Sequence, residues 1–352
     1  MSGVAEIARV YRWDLDKTYL RTDFDSWRGL LRAAWEKASA KVNVAGSAAL
    51  MRELKALPGA RVALISGSPR QMRKTLEEKF RIDRVAVDEF TLKPNVENLL
   101  RGRFRALRDQ VGYKLPALLE GRARVPATAA ETLFGDDAEA DAFVYSLYAD
   151  LVAGRVQKDE LKEILRLSSV YEDVAKRTLQ LAAQVERADP VGRIFIHLDG
   201  YTPPARFAHY GARVVPIYNY FQAAVLLMID GQLGPLAVVR IAAELSQGYG
   251  YSLISLANSF QDLLRRGLAR QEHVSAVRLA FEANAAVLDA IRPASDVIEA
   301  FLKRLAIAAR VQERPPHTVP IDYLEILRTH GPPATWRHKA RTRGKPPDDP
   351  FV

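Results

Sequence analysis

The feature that most constrains this chain is an alternation. Over the first two thirds, short β-branched and aromatic runs take turns with stretches of helical periodicity. Strands separated by helix-length connections cannot pair as hairpins, so the pattern predicts a parallel sheet with crossover helices. Strands are expected over residues 10–13, 62–65, 84–87, 132–134, 193–198 and 213–218, with helices over 24–41, 71–80, 115–120, 138–153, 159–186 and 220–230. After Pro235 the strand pattern stops. Helices are expected over 237–245, 253–266, 274–291 and 295–311, punctuated by Gly248, Gly250, Gly267 and Pro293. A boundary therefore falls near Gly234, and the HTVPIDY segment with its short helix is expected to pack on the helical part.

A chain of 352 residues can bury one large core or two modest ones, and 48% hydrophobic with 26% charged residues is ordinary for a globular protein. The longest apolar run, 223–229, is too short to cross a bilayer and reads as a buried helix. The first residues carry Glu6 and lack a charged start followed by an apolar block, so they do not read as a secretory signal. The chain has no cysteine, which excludes disulfides, thiolate metal sites and cysteine nucleophiles and suits a cytoplasmic location. The net charge of +9 would attract nucleic acid, anionic lipid or a phosphorylated substrate. Part of that excess lies at Arg337, Lys339, Arg341, Arg343 and Lys345, in a basic, proline-rich tail over 331–352 that is expected to be disordered.

Three polar motifs sit where predicted strands end: Asp14-Leu15-Asp16-Lys17-Thr18, Ser66-Gly67-Ser68, and Gly135-Asp136-Asp137 with Asp141. Ligands of open α/β sheets bind beyond the carboxyl ends of the strands, so the three motifs should meet in one crevice. Asp14 and Asp16 are two residues apart and can point the same way. Crowded carboxylates repel unless a cation sits among them, and an oxygen-only donor set favours magnesium. Taken singly each residue has a plainer role: turn or cap for the acids, helix cap for Ser66, solvated side chain for Lys114. Taken together and in order, they point to a catalytic site.

The order DxDxT, SGS, lysine and GDDxxxD resembles that of the haloacid dehalogenase superfamily. More closely, ISGSPRQM (65–72), YKLPALLE (113–120) and GDDAEAD (135–141) are similar to the phosphatidate phosphatase catalytic-domain family, as are VGRIFIHLD (191–199) and the strand and helix of 213–233. The resemblance covers about residues 8–234. It implies a Rossmann-like three-layer α/β sandwich with a parallel central sheet and little or no cap over 1–234; the all-helical part over 235–330 lies outside it and is read from periodicity alone.

The resemblance further implies that Asp14 attacks phosphorus and that Asp16 protonates the leaving group and then activates water. Ser66 would bind a transferring oxygen and Lys114 would neutralise charge. Thr18, Gly67 and Ser68 would surround the phosphoryl group, Thr18 chiefly by tying down the turn. Magnesium would be held by the carboxylates of Asp14 and Asp136 and the backbone carbonyl of Asp16, with Asp137 or Asp141 completing the site. Lys93 in TLKPN competes with Lys114 for the phosphate-binding role. Two departures, Asp137 in place of serine and Tyr113 in place of histidine, bear on the substrate more than on the chemistry.

About 40 residues separate the first strand from SGS, enough for one helix but not for a folded cap. Such a thin cover suits a large or surface-bound substrate: a phosphatidate-like lipid first, or a phosphorylated protein or nucleic-acid end. Lys93, Arg101, Arg103, Arg105 and Arg108 could guide the anion or simply form a solvated face. His197 and His209 flank Asp199-Gly200-Tyr201 and read as packed histidines more than as a metal site. The GYGY stretch over 248–251 reads as a connection between helices, and the role of the helical part and the oligomeric state stay open. A binding protein that keeps the fold without turnover is the alternative of a different class.

Overall fold

Six strands form one parallel sheet in the order β3-β2-β1-β4-β5-β6. They are β1 (Arg9–Asp14), β2 (Ala60–Pro69), β3 (Glu89–Lys93), β4 (Ala130–Asp136), β5 (Val191–His197) and β6 (Val214–Ile217). This computed structural model describes residues 7–21, 37–93, 107–200, 202–283 and 320–330. The chain lays β2 and β3 to one side of β1, then crosses over to lay β4, β5 and β6 on the other. The order thus reverses between β1 and β4, which pair in parallel from Arg9↔Ala130 to Trp13↔Phe134. A crevice opens at the carboxyl ends of two strands whose connections depart in opposite directions, and these are the strands that end at Asp14 and Asp136.

The central strands are buried on both faces, which is why RVYRWD and AETLFGD read as nearly continuous runs instead of alternating ones. Trp13 stacks on Phe134 at 3.9 Å and Phe134 on Phe195 at 5.2 Å, so an aromatic row ties β1, β4 and β5 together. One polar exception lies deep beside β1. Arg12 meets the Glu131 carboxylate at 2.7 and 3.2 Å, Arg122 approaches it at 3.3 Å, and the Tyr148 hydroxyl donates to it at 2.5 Å.

The described helices that precede β5 are α1 (Ser47–Lys55), α2 (Arg73–Ile82), α3 (Leu107–Arg122), α4 (Asp141–Val152), α5 (Lys158–Leu167) and α6 (Glu172–Gln184). After β6 come α7 (Tyr220–Ile229), α8 (Pro235–Tyr249), α9 (Leu253–Arg265), α10 (Gln271–Ala283) and α11 (Tyr323–His330). Helix α3 packs on β2, and α4 on β4 and β5. None of the described helices is long and apolar enough to cross a membrane.

The chain divides into two units. The first comprises Met1–Val42, Lys55–Pro216 and Thr318–Arg343, the second Asn43–Leu54, Ile217–His317 and Gly344–Val352. Helix α7 therefore belongs with the helical unit, and the division falls before the expected Gly234. In the second unit, Gln222 of α7 donates to the Ser259 carbonyl of α9 at 2.9 Å, and Arg240 of α8 pairs with Glu53 of α1 at 2.6 Å. Gly250 caps α8 in the left-handed conformation at φ 75°, so the GYGY stretch is largely the end of that helix.

Three expectations are corrected. The third strand is Glu89–Lys93, not 84–87. Arg84 has a φ of 56°, and the Val85 N–H returns to the Phe80 carbonyl at 2.8 Å, so that stretch closes α2 before the strand begins. The helix expected over 159–186 is two helices, broken where Ser169 takes a φ of 57°. Helix α11 packs on the α/β unit instead of the helical one: the Tyr323 hydroxyl donates to Asp150 at 2.7 Å and its ring meets Phe143 edge-on. Most of the helix expected over 24–41, the end of that over 274–291, all of that over 295–311 and the basic tail lie outside the described residues.

Candidate active site

β1 delivers Asp14 to the crevice and the chain then turns sharply. Lys17 takes a φ of 59°, its N–H donates to the Leu20 carbonyl at 2.7 Å, and the Leu20 N–H returns to Leu15 at 2.8 Å. This closed turn buries Thr18 and leaves Asp16 facing β2. There Ser68 donates to Asp16 Oδ2 at 3.2 Å and Ser66 approaches the same oxygen at 3.4 Å. The Ser68 N–H donates to Ser66 Oγ at 2.9 Å, fixing the two hydroxyls around Gly67 at the end of β2. Asp16 is thus brought together with Ser66 and Ser68.

Lys114 comes from the middle of α3 and is wholly buried. Its ammonium stands 2.9 Å from Asp14 Oδ1 and 2.8 Å from Glu139 Oε2, and it also binds Asp141 Oδ1. Lys93 lies instead over the Tyr113 ring, 5.9 Å from its centre. Of the two candidate lysines, Lys114 is the one at Asp14. Arg101, Arg103 and Arg105 lie outside the described residues, as does the side chain of Arg108.

The turn after β4 folds around Asp136. Its Oδ1 accepts the Ala138 N–H at 2.6 Å and the Glu139 N–H at 3.1 Å, and its own N–H donates to Asp141 Oδ2 at 3.2 Å. The result is a group of four carboxylates, Asp14, Asp136, Glu139 and Asp141, with one oxygen from each within 4.8 Å of the others. Gly135 makes the grouping possible. A Cβ there would stand 2.6 Å from the Asp141 Cβ and 2.5 Å from its Oδ2.

Burial first, and then the neighbouring carboxylates, raise Asp136 well above the usual carboxylate range. Burial likewise raises Asp14 well above it, opposed chiefly by Lys114, and raises Asp141 with the same opposition. Burial pulls Lys114 down, but Asp14, Asp141 and Glu139 more than reverse this and hold it well above the ordinary lysine value. One ammonium against four acids leaves the pocket electron-rich.

Two buried oxygens, Asp14 Oδ2 and Asp136 Oδ2, have no hydrogen-bond partner among the described residues. Such atoms are costly to bury unless something binds them. Opposite ligands of a magnesium ion lie about 4.2 Å apart at ~2.1 Å per bond. A 4.8 Å spread of hard oxygen donors is close to that, so the residues fit such a cation.

Not every expected ligand is in the group. Asp137 turns away and accepts the Gly200 N–H at 2.7 Å and the Thr202 N–H at 3.0 Å, clamping the loop after β5. The Asp16 carboxylate, expected to transfer protons and not to bind the metal, is with the serines. Glu139 was not expected from the sequence; its only signal is its place as the third acid of GDDAEAD. His197 Nδ1 lies 2.9 Å from the Lys17 carbonyl, and Lys17 pairs with Asp199 at 3.3 Å, so these residues brace the turn that carries Asp16. His209 is exposed against Tyr210, and Tyr201 lies outside the described residues.

No protein-family model, curated protein or solved structure matches the chain. The functional reading therefore rests on the site itself.

Proposed function

We propose that this chain is a magnesium-dependent phosphomonoester hydrolase of the haloacid dehalogenase type, with Asp14 as its nucleophile. The observation that carries the reading is the buried Asp14 carboxylate, with Oδ1 held by Lys114 and Oδ2 left without a partner among the described residues. A carboxylate so placed is oriented and not solvated, and a cationic group stands ready for the charge of a phosphoryl group.

In the first step Asp14 forms a bond to phosphorus as the bond to the leaving oxygen breaks, and Asp16 passes its proton to that oxygen. In the second, Asp16 takes a proton from water, whose oxygen bonds to phosphorus as the bond to Asp14 breaks, releasing inorganic phosphate. Ser66 and Ser68 orient Asp16 for both transfers, and Lys114 offsets the charge on the equatorial oxygens. Magnesium, held by Asp14 and Asp136 with Asp141 and Glu139 beside them, would supply charge neutralisation at the phosphoryl group.

The test is phosphate release from p-nitrophenyl phosphate with magnesium, by wild type and Asp14→Asn. Phosphatidate vesicles, phosphopeptides and end-phosphorylated oligonucleotides follow as substrates. Metal-dependent release that Asp14→Asn abolishes supports the reading. Release from none of them, or release untouched by the substitution, sinks it.

A further inference from the structure

A groove runs along α3 and β3, and one of its lining residues, Tyr113, lies within electrostatic reach of Lys114, Asp14 and Arg70. One part encloses about 320 Å³ and is lined by Arg70, Lys93, Tyr113, Pro116 and Val170, among others. A second part, of about 440 Å³, shares Arg70, Thr91, Leu92, Ala117 and Glu120 with the first and continues to Arg73 and Arg124. Two residues link the groove to the reacting groups. Tyr113 directly precedes Lys114 on α3. Arg70 follows Ser68 by two residues, which is roughly 7 Å of extended chain, and Ser68 is the residue that donates to Asp16.

The basic side chains of the groove differ in their partners. Arg124 pairs with Glu89, Arg177 with Glu120, and Arg73 with Glu77 while donating to the Phe90 carbonyl at 2.7 Å. Arg70 is exposed and has neither an ion pair nor a hydrogen bond among the described residues. Lys93 lies over the face of Tyr113, and Asp109 is a further acid of the lining. The Tyr113 hydroxyl is buried and also lacks a hydrogen-bond partner among the described residues. A guanidinium fork and a phenol O–H are both donors, whereas Leu92, Pro116, Val170 and Val174 make an apolar wall.

We infer that this groove holds the leaving group of the substrate and that Arg70 recognises a second anionic group on it. The substrate class is then a phosphomonoester whose leaving group is compact, partly apolar, and carries a carboxylate or a further phosphate. This rests on the phosphatase reading for the position of the phosphoryl group. A bare lipid head group with a neutral glyceride leaving group would leave Arg70 without its anion.

Binding separates this inference from the question of turnover. Calorimetry with magnesium present compares 4-(phosphonomethyl)benzoate with benzylphosphonate, two non-hydrolysable ligands that differ by one carboxylate. A third ligand, 4-(phosphonomethyl)benzylphosphonate, asks whether a phosphate-like group serves as well as a carboxylate. On wild type the doubly anionic ligands should bind at least tenfold tighter than benzylphosphonate. Arg70→Gln should cut that advantage below threefold, and Arg70→Lys should retain part of it. Equal affinities on wild type, an advantage that survives Arg70→Gln, or no binding of any ligand at millimolar concentration would overturn the inference. Should none of the phosphate esters be hydrolysed while the Arg70-dependent preference holds, the phosphatase reading fails and the groove stands.

Discussion

The Lys114 ammonium lies 2.9 Å from the Asp14 carboxylate, with both side chains shut off from solvent. Removing one partner of such a pair leaves the other as an uncompensated buried charge. Lys114 also serves Glu139 and Asp141, so its loss strands three acids. Lys114→Met should cost about 3–5 kcal/mol of stability, read from urea midpoints at neutral pH. Acid should restore part of that loss, because the stranded carboxylates can take up protons. A loss under ~1 kcal/mol would mean that the pair contributes no more than a surface contact.

Asp14, Asp136 and Asp141 are all raised above the ordinary carboxylate range, chiefly by burial. A raised folded value means that the native state binds these protons more tightly than the unfolded chain does. Their contribution to stability is thus complete below the unfolded value of about 4, and is lost as pH rises through the raised values. In EDTA the protein should become less stable toward neutral pH through these groups. Magnesium competes with the same protons, so its stabilisation should grow with pH and reach about 2.7 kcal/mol at a hundredfold excess over its dissociation constant. Thermal melts from pH 5 to 8, with and without magnesium, measure both trends. A magnesium effect that is flat with pH would contradict the assignment of these ligands.

Gly135→Ala should disable the site from outside it. The added methyl would meet Asp141 at 2.5–2.8 Å, closer than real side chains approach. Asp141 must shift, and with it one of the contacts that hold Lys114. The expected result is a magnesium-dependent rise in melting temperature less than half that of wild type, with phosphatase activity down at least tenfold. An unchanged metal response would show that Asp141 is not a ligand.

Glu131→Gln tests the other buried polar cluster. Burial pushes the Glu131 carboxyl up, but Arg12 above all, helped by Tyr148 and Arg122, holds it below the ordinary range. A depressed value gives stability that is present above the unfolded value and lost as pH falls through the folded one. The substitution leaves two guanidiniums facing a neutral amide. It should cost about 3–5 kcal/mol at pH 7 and less in acid, measured by urea unfolding.

Much of the candidate site was legible in the sequence because its parts are local. Asp14 and Asp136 each end a strand and Ser66 lies close to the end of β2, and strand ends converge in a parallel sheet whatever the details. Lys114 could be preferred to Lys93 for its place just upstream of the fourth strand, but its contact with Asp14 could not be read, since that depends on how α3 lies against β1. Glu139 and Asp137 sit in one irregular turn, where no periodicity says which acid faces inward. The strand at 84–87 was misread because RVAV has the branched composition of a strand, whereas EFTLK is only half buried at most positions. The break in the long helix rests on a left-handed Ser169, and neither glycine nor proline announces it.

The placement of α11 also has a temporal side. Tyr323 reaches back across 173 residues to donate to Asp150. On the ribosome Asp150 is made well before its partner, by about 9–35 s at 5–20 residues per second. In that interval the rest of the sheet and then most of the helical unit are synthesised, while the α/β unit lacks its last helix and Asp150 lacks the Tyr323 hydroxyl. A nascent chain stalled before Tyr323 would therefore hold the residues of the candidate site without the piece that completes their scaffold.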